Sequence, residues 1–315
     1  MAVSTFEEAS LARYLTMFSI GELESFEPMP GGMDNSNYLV RVNRYDEINQ
    51  FVLTIVENHS FDVVPFFNQV LRHLFYYGLP VAAPQQTLDG MTSTFFCGKP
   101  TFLFPHLEGG HQADTDLEHC EIIGKALAEI HSTLATQSLD RESPYSSQWM
   151  EAVMALPTAQ DLADADRRLL QKVISEYEIA QELDLPRGVI HGDLLRDNVL
   201  FGNAEPGSTD AGNTELTGIL DFYNACQDFL IQDVAISIND WCCSDQGDVD
   251  AKKRDALIAA YHKERELSAD ELEYLPHFQK FAAARKILQA LSRDQRPDSV
   301  QRMLTLLHHY DAVVR

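Results

Sequence analysis

Three oxygen-bearing side chains stand out in this chain by type and spacing. The run His191-Gly192-Asp193-Leu194-Leu195-Arg196-Asp197-Asn198 places a carboxylate, Asp193, five residues before an amide, Asn198, and Asp221 closes an apolar run 23 residues after Asn198. A hard cation such as Mg²⁺ takes oxygen ligands, and it is commonly held by one or two protein groups together with nucleotide phosphates. Asn198 and Asp221 can supply those oxygens. Asp193 is then left to accept a hydrogen bond from a substrate hydroxyl and to orient it for in-line attack. His191 is expected to support the loop by hydrogen bonding.

That chemistry needs elements that bring the residues together. Val189-Ile190, Val199-Leu200-Phe201 and residues 216–220 read as short strands, and 203–215, rich in Gly, Ser, Thr, Asn and Asp, reads as an exposed hairpin loop. If the second and third strands pair as a hairpin, Asn198 and Asp221 meet at one end of it, facing the Asp193 loop. Upstream, Phe51-Val52-Leu53-Thr54-Ile55-Val56 is apolar and β-branched, as a strand buried on both faces would be. Asn37-Tyr38-Leu39-Val40-Arg41-Val42 alternates in period two, and Gly31-Gly32-Met33-Asp34-Asn35-Ser36 before it is a turn by composition. Residues 66–77 carry an apolar helical pattern ending at Gly78, a C-cap ahead of Pro80. Two more short strands are expected over 92–97 and 101–104.

Pro105-His106-Leu107-Glu108-Gly109-Gly110 is punctuated like a hinge. The helix after it has capping-box spacing at Thr115 and Glu118, and an apolar stripe of Leu117, Cys120, Ile123, Leu127, Ile130 and Leu134. The rest of the chain is mostly helical. The fold expected is α+β with two lobes, a small β-rich N-lobe over 1–104 and a larger, mainly helical C-lobe over 111–315, with the hinge at 105–110 and a cleft implied at their junction.

Bulk properties narrow the partners. A net charge of −24 repels phosphate backbones and anionic lipid, which argues against nucleic-acid and membrane-surface roles. The five cysteines are odd in number and form no CxxC pair, so neither a disulfide framework nor a zinc site is expected, and a reducing compartment is. No signal peptide and no apolar run long enough to span a membrane is visible. The expectation is a cytoplasmic protein whose partners are small molecules. Oligomeric state is not legible.

The catalytic-loop run, with Ile219-Leu220-Asp221-Phe222, resembles the catalytic loop and metal-binding motif of the aminoglycoside-phosphotransferase and choline-kinase superfamily, kinases related in fold to protein kinases. Within it, Met33-Asp34-Asn35-Ser36-Asn37-Tyr38, the run from Leu220 to Cys226, and Asp233-Val234-Ala235-Ile236 through Asn239-Asp240-Trp241-Cys242 resemble the homoserine kinases. The resemblance implies a protein-kinase-like fold, ATP as donor, Mg²⁺ held by Asn198 and Asp221, and Asp193 as catalytic base. It implies that Asp34, Asn35, Ser36 and Asn37 cover the phosphates, and that main-chain groups of Pro105, His106 and Leu107 meet adenine. It implies an amino-acid-like acceptor, L-homoserine, on the way to threonine. Another small alcohol, such as choline, ethanolamine, an aminoglycoside or a sugar, is the alternative acceptor.

One feature departs from this pattern. Kinases of this architecture carry a lysine on the third strand, paired with a helix glutamate and touching the nucleotide phosphates. No lysine precedes Lys99, Thr54 occupies the strand position, and residues 61–77 contain no glutamate. Either Mg²⁺, backbone amides and a residue such as Arg41, Arg72 or His73 neutralise the phosphates, or the chain is a non-catalytic nucleotide-binding scaffold. Asn224, Asp228, Asp240 and Trp241 follow Asp221 closely, with two readings open. They line an acceptor pocket in which a carboxylate meets an ammonium and Arg196 meets a carboxylate; or Trp241 fills core, Asp240 is solvated and Asp233 caps a helix.

Overall fold

The computed structural model describes residues 4–29, 35–202, 214–244, 246–293 and 298–314. Asp34 and the 203–213 part of the expected hairpin loop lie outside them. The elements in order are α1 (Glu8–Leu15), β1 (Glu22–Pro28), β2 (Asn35–Arg44), β3 (Glu47–Val56), α2 (Val64–Tyr76), β4 (Thr94–Phe96), β5 (Lys99–Pro105), α3 (Leu117–Leu134), α4 (Ser147–Met154), α5 (Pro157–Gln160), α6 (Asp164–Ala180), β6 (Arg187–Ile190), β7 (Val199–Gly202), β8 (Glu215–Ile219), β9 (Cys226–Phe229), α7 (Leu230–Trp241), α8 (Ala251–Glu264), α9 (Ala269–Ser292) and α10 (Asp298–Val313).

The chain divides into two compact units. The first is Met1–Gly109 with Thr217–Leu220, and the second is Gly110–Leu216 with Asp221–Arg315. In the first, the strands form one sheet in the order β1-β2-β3-β5-β4, with antiparallel pairing throughout. Alternation along β2 and β3 sends Tyr38, Val40, Val42, Phe51, Leu53 and Ile55 to one face, where Leu11, Tyr14 and Leu15 of α1 close a core over them. Neither α1 nor β1 was expected from sequence. β1 is mostly exposed, and its Glu-rich sequence lacks the apolar alternation that marks a strand.

The second unit is built around α7. All twelve of its residues are buried, so it is a central helix with no solvent face. It packs against α9, and α9 also packs against α10. One short two-stranded sheet, β6 with β9, accompanies it, and β7 and β8 form another. The start of α3 corrects one expectation. The N-cap is Asp116, whose carboxylate accepts the His119 amide at 3.0 Å, and His119 plays the return part of the box. Thr115 instead donates its hydroxyl to the Trp241 carbonyl at 2.8 Å.

Candidate active site

The loop after β6 is held from beneath by one carboxylate. Asp233, in the first turn of α7 and fully buried, accepts the backbone N–H of His191 at 2.7 Å and of Gly192 at 2.9 Å. Its Oδ2 also meets His131 Nε2 at 3.1 Å, and His131 Nδ1 meets the Tyr261 hydroxyl at 2.7 Å. Burial alone would raise the Asp233 carboxyl. The hydrogen bond and charge of His131, with the charge and amide of His191, outweigh burial and hold it below the ordinary range. The cap expected of Asp233 is therefore not its role: the N-cap of α7 is Phe229, and Asp233 anchors a loop distant in sequence.

Gly192 turns the chain at φ +76°, and a Cβ there would stand 2.7 Å from the Asn224 carbonyl oxygen. The turn thus requires glycine on two counts. Buried His191 accepts the Asp193 N–H on Nδ1 at 3.2 Å, as the expected loop support. Asn198 donates its Nδ2 to the Asp193 carbonyl at 2.9 Å, which commits the amide nitrogen to the loop. Asn198 directly precedes β7, and Asp221 follows β8 in left-handed backbone, φ 60° and ψ 62°. No group of three or more His, Cys, Asp or Glu side chains is poised around a metal among the described residues. Asn198 and Asp221 carry an amide and a carboxylate, donor types that suit a hard cation whose other ligands are phosphate oxygens and water.

Among the described residues, two side chains come within hydrogen-bond distance of the Asp193 carboxylate. Lys286 Nζ on α9 lies 3.1 Å from Oδ1, and Asn224 Nδ2 lies 3.4 Å from Oδ2. Tyr145 donates its hydroxyl to Asn224 Oδ1. Arg285, 4% exposed, stacks its guanidinium 3.9 Å from the Tyr145 ring centroid and donates Nη2 to the Gly192 carbonyl. Beside Asp193 is a small cavity of about 40 Å³, whose lining includes Asp240, Arg285, Lys286, Gln289 and Arg302. Asp240 accepts the Arg196 N–H at 2.8 Å, and its two oxygens also pair with the Arg196 and Arg302 guanidinium groups. Burial pushes the Asp240 carboxyl up, but those two arginines and the Arg196 amide hold it low.

Of the acceptor residues expected from sequence, Asn224 touches Asp193 and Asp240 lines the cavity. Arg196 is tied to Asp240 and the Ala113 carbonyl. Trp241 is fully buried, donates its indole N–H to the Leu194 carbonyl at 3.0 Å, and lies outside the cavity lining. Lys286, Arg285 and Arg302 were not foreseen. The cation pair Arg285-Lys286, interrupting the apolar run between Phe281 and Leu288, was the available signal.

In the first unit, Asn37 and Thr54 are direct cross-strand partners on the sheet face away from α1. Ser36 is on the opposite face, where its hydroxyl bonds Glu57 and accepts the Ser4 N–H at 3.1 Å. Asn35 Oδ1 accepts the Glu57 N–H at 3.3 Å. Lys99, the first lysine of the chain, pairs with Glu57 in that same cluster and so does not stand in for the lysine absent at Thr54. Arg41 is paired with Glu27. In the expected hinge, Pro105 has no N–H and the His106 N–H is bonded to the Gln50 carbonyl at 3.1 Å, so neither amide is offered to a ligand.

A two-unit chain with a five-stranded sheet, a helical second unit and an anchored carboxylate loop has the architecture of a kinase-like phosphotransferase. Residues 25–267 match the phosphotransferase enzyme family, and the chain belongs to it. The homoserine kinase of Pseudomonas aeruginosa is 34% identical over 281 residues, covering 89% of this chain and 84% of that protein. That of Burkholderia mallei is 35% identical over 281 residues, covering 86% and 82%. Among solved structures, an amicoumacin kinase in complex with AMP-PNP and Ca²⁺ superposes with a TM-score of 0.75 at 13% identity, covering 98% and 94% of the two chains. A choline kinase from Cryptosporidium parvum gives 0.64 at 14%, covering 97% and 95%. At such identities these two show the shared fold. No helix among the described residues is long and apolar enough to cross a membrane.

Proposed function

We propose that this chain transfers the γ-phosphoryl group of ATP to the side-chain hydroxyl of L-homoserine, giving O-phospho-L-homoserine and ADP. The observation that carries the reading is the Asp193 carboxylate, presented by a loop fixed through buried Asp233 and flanked by Lys286 and Asn224. The similarity to homoserine kinases over most of both chains supports the choice of acceptor. The cytoplasm is the compartment this reading implies.

Asp193 accepts a hydrogen bond from the acceptor hydroxyl and orients its oxygen toward the γ-phosphorus. As the new O–P bond forms and the bond to the β–γ bridging oxygen breaks, the hydroxyl proton passes to Asp193 and ADP departs. The transition state is loose, so the carboxylate acts mainly by positioning and takes the proton late. Asn198, directly before β7, and Asp221, just after β8, would hold Mg²⁺. When bound, it would neutralise charge on the β- and γ-phosphates. Asn37 and Thr54 would meet the phosphates, and the Leu107 amide would meet adenine. Lys286 supplies a positive charge beside the reacting group. Asn224 holds the second Asp193 oxygen, and its own amide is fixed by Tyr145.

An acceptor panel tests this. Purified protein with MgATP should release ADP with L-homoserine well above the acceptor-free rate, and above the rates with choline, ethanolamine, an aminoglycoside and glucose. ADP release with one of those alcohols and not with homoserine would overturn the acceptor assignment.

A further inference from the structure

The cavity beside Asp193 has an unusual charge for a chain of net charge −24. Its lining carries three cations, Arg285, Lys286 and Arg302, against two carboxylates, Asp193 and Asp240. Two of these charges pair as Lys286 with Asp193, and two as Arg302 with Asp240. Arg285 remains, and its electrostatic neighbour Asp228 is a buried carboxyl that burial pushes up, toward the neutral form. Two guanidinium nitrogens are also buried without a hydrogen-bond partner among the described residues, Arg285 Nη1 and Arg302 Nε. Buried donors on charged groups are rarely left unpaired, because they have lost water and gained nothing in exchange. Both arginines line the same cavity, and they come from different helices, α9 and α10.

We propose that this cavity is the seat of the acceptor's carboxylate, with Arg285 and Arg302 as its donors. The proposal rests on reading Asp193 as the base of a hydroxyl kinase and adds which side chains seat the other end of its acceptor. A carboxylate suits a small cavity and satisfies planar guanidinium donors in a geometry that water and single-atom anions match less well. It places the opposite end of a short acceptor beside Asp193, on the same cavity wall. Choline, ethanolamine and aminoglycosides are cations and would bring like charge toward three resident cations.

The test compares L-homoserine with 3-aminopropan-1-ol, which keeps the hydroxyl and ammonium and replaces the carboxylate by hydrogen. Calorimetric binding to the wild-type protein, without turnover, should favour homoserine by roughly tenfold to a hundredfold, the worth of one charge-assisted hydrogen bond. Arg302→Gln should raise KM for homoserine by a similar factor, and its loss in kcat/KM should be larger for homoserine than for 3-aminopropan-1-ol by that factor. Arg302→Lys, which keeps the charge on Asp240 and removes the Nε donor, serves if the glutamine variant does not fold. Equal affinity of the wild type for the two ligands, or an equal loss on both in the variants, overturns the proposal even if homoserine is phosphorylated. Binding of homoserine in preference to the amino alcohol, with no phosphorylation of either, overturns the kinase reading and leaves the carboxylate seat standing.

Discussion

Asp233→Asn probes the anchor on which the whole site depends. The wild-type carboxylate is fully buried and accepts three times: from the His191 and Gly192 amides and from His131. Asparagine has the same shape but one acceptor oxygen. Its NH₂ must face either a backbone N–H or the imidazole, so at least one buried donor loses its partner and the charge that supports His131 is gone. Breaking a buried, hydrogen-bonded pair costs about 3–5 kcal/mol, a large share of the typical 5–15 kcal/mol of a folded domain. The urea midpoint of the variant should drop accordingly. At temperatures where it remains folded, kcat should fall on the order of a hundredfold if the loop shifts by about 1 Å. An unchanged midpoint with unchanged kcat would refute the argument, because the loop would then be held by something other than Asp233.

Three further outcomes follow from the same geometry. Gly192→Ala sets a Cβ against the Asn224 carbonyl and a left-handed φ on an L side chain, so it should cost about 1–2 kcal/mol from the φ alone and more from the clash, read as a lower melting temperature together with reduced kcat. Lys286→Met should lower kcat roughly tenfold to a hundredfold with less than about 1 kcal/mol lost in urea unfolding, since the lysine is partly exposed; full activity would remove it from the mechanism. Asp233 and Asp240 both have carboxyls held below their ordinary value of 3.8, so their contribution is complete above that pH and is lost as pH falls through their lower folded values. Acid unfolding should therefore set in below about pH 4, and Asp233→Asn should flatten that limb.

The parts of the site that could be read from sequence are those whose chemistry is local. The loop from His191 to Asn198 carries its own ligand types, and β-branched runs on either side mark β6, β7 and β8. Glycine at 192 and 78 marks backbone that turns through positive φ. What escaped depends on distant packing. Asp233 reads as a helix-start residue, and only the fold reveals that its partners are amides 41 and 42 positions earlier. Lys286, Arg285 and Arg302 come from α9 and α10, and no local periodicity says which face of a largely buried helix meets Asp193. Ser36 and Asn37 fall together in the stretch that the resemblance sets over the phosphates, yet strand alternation sends them to opposite faces of the sheet. Trp241, in a segment that resembles an acceptor region, spends its indole N–H on Leu194.

The most direct test of the central claim is acceptor-dependent ADP release by wild type and Asp193→Asn, with L-homoserine and MgATP. The wild type should turn over only when homoserine is present. The variant, folded by circular dichroism and still binding ATP, should be slower by roughly a hundredfold or more. A wild-type protein that binds ATP and never phosphorylates an acceptor, or an Asp193→Asn variant that keeps the wild-type rate, would contradict the account.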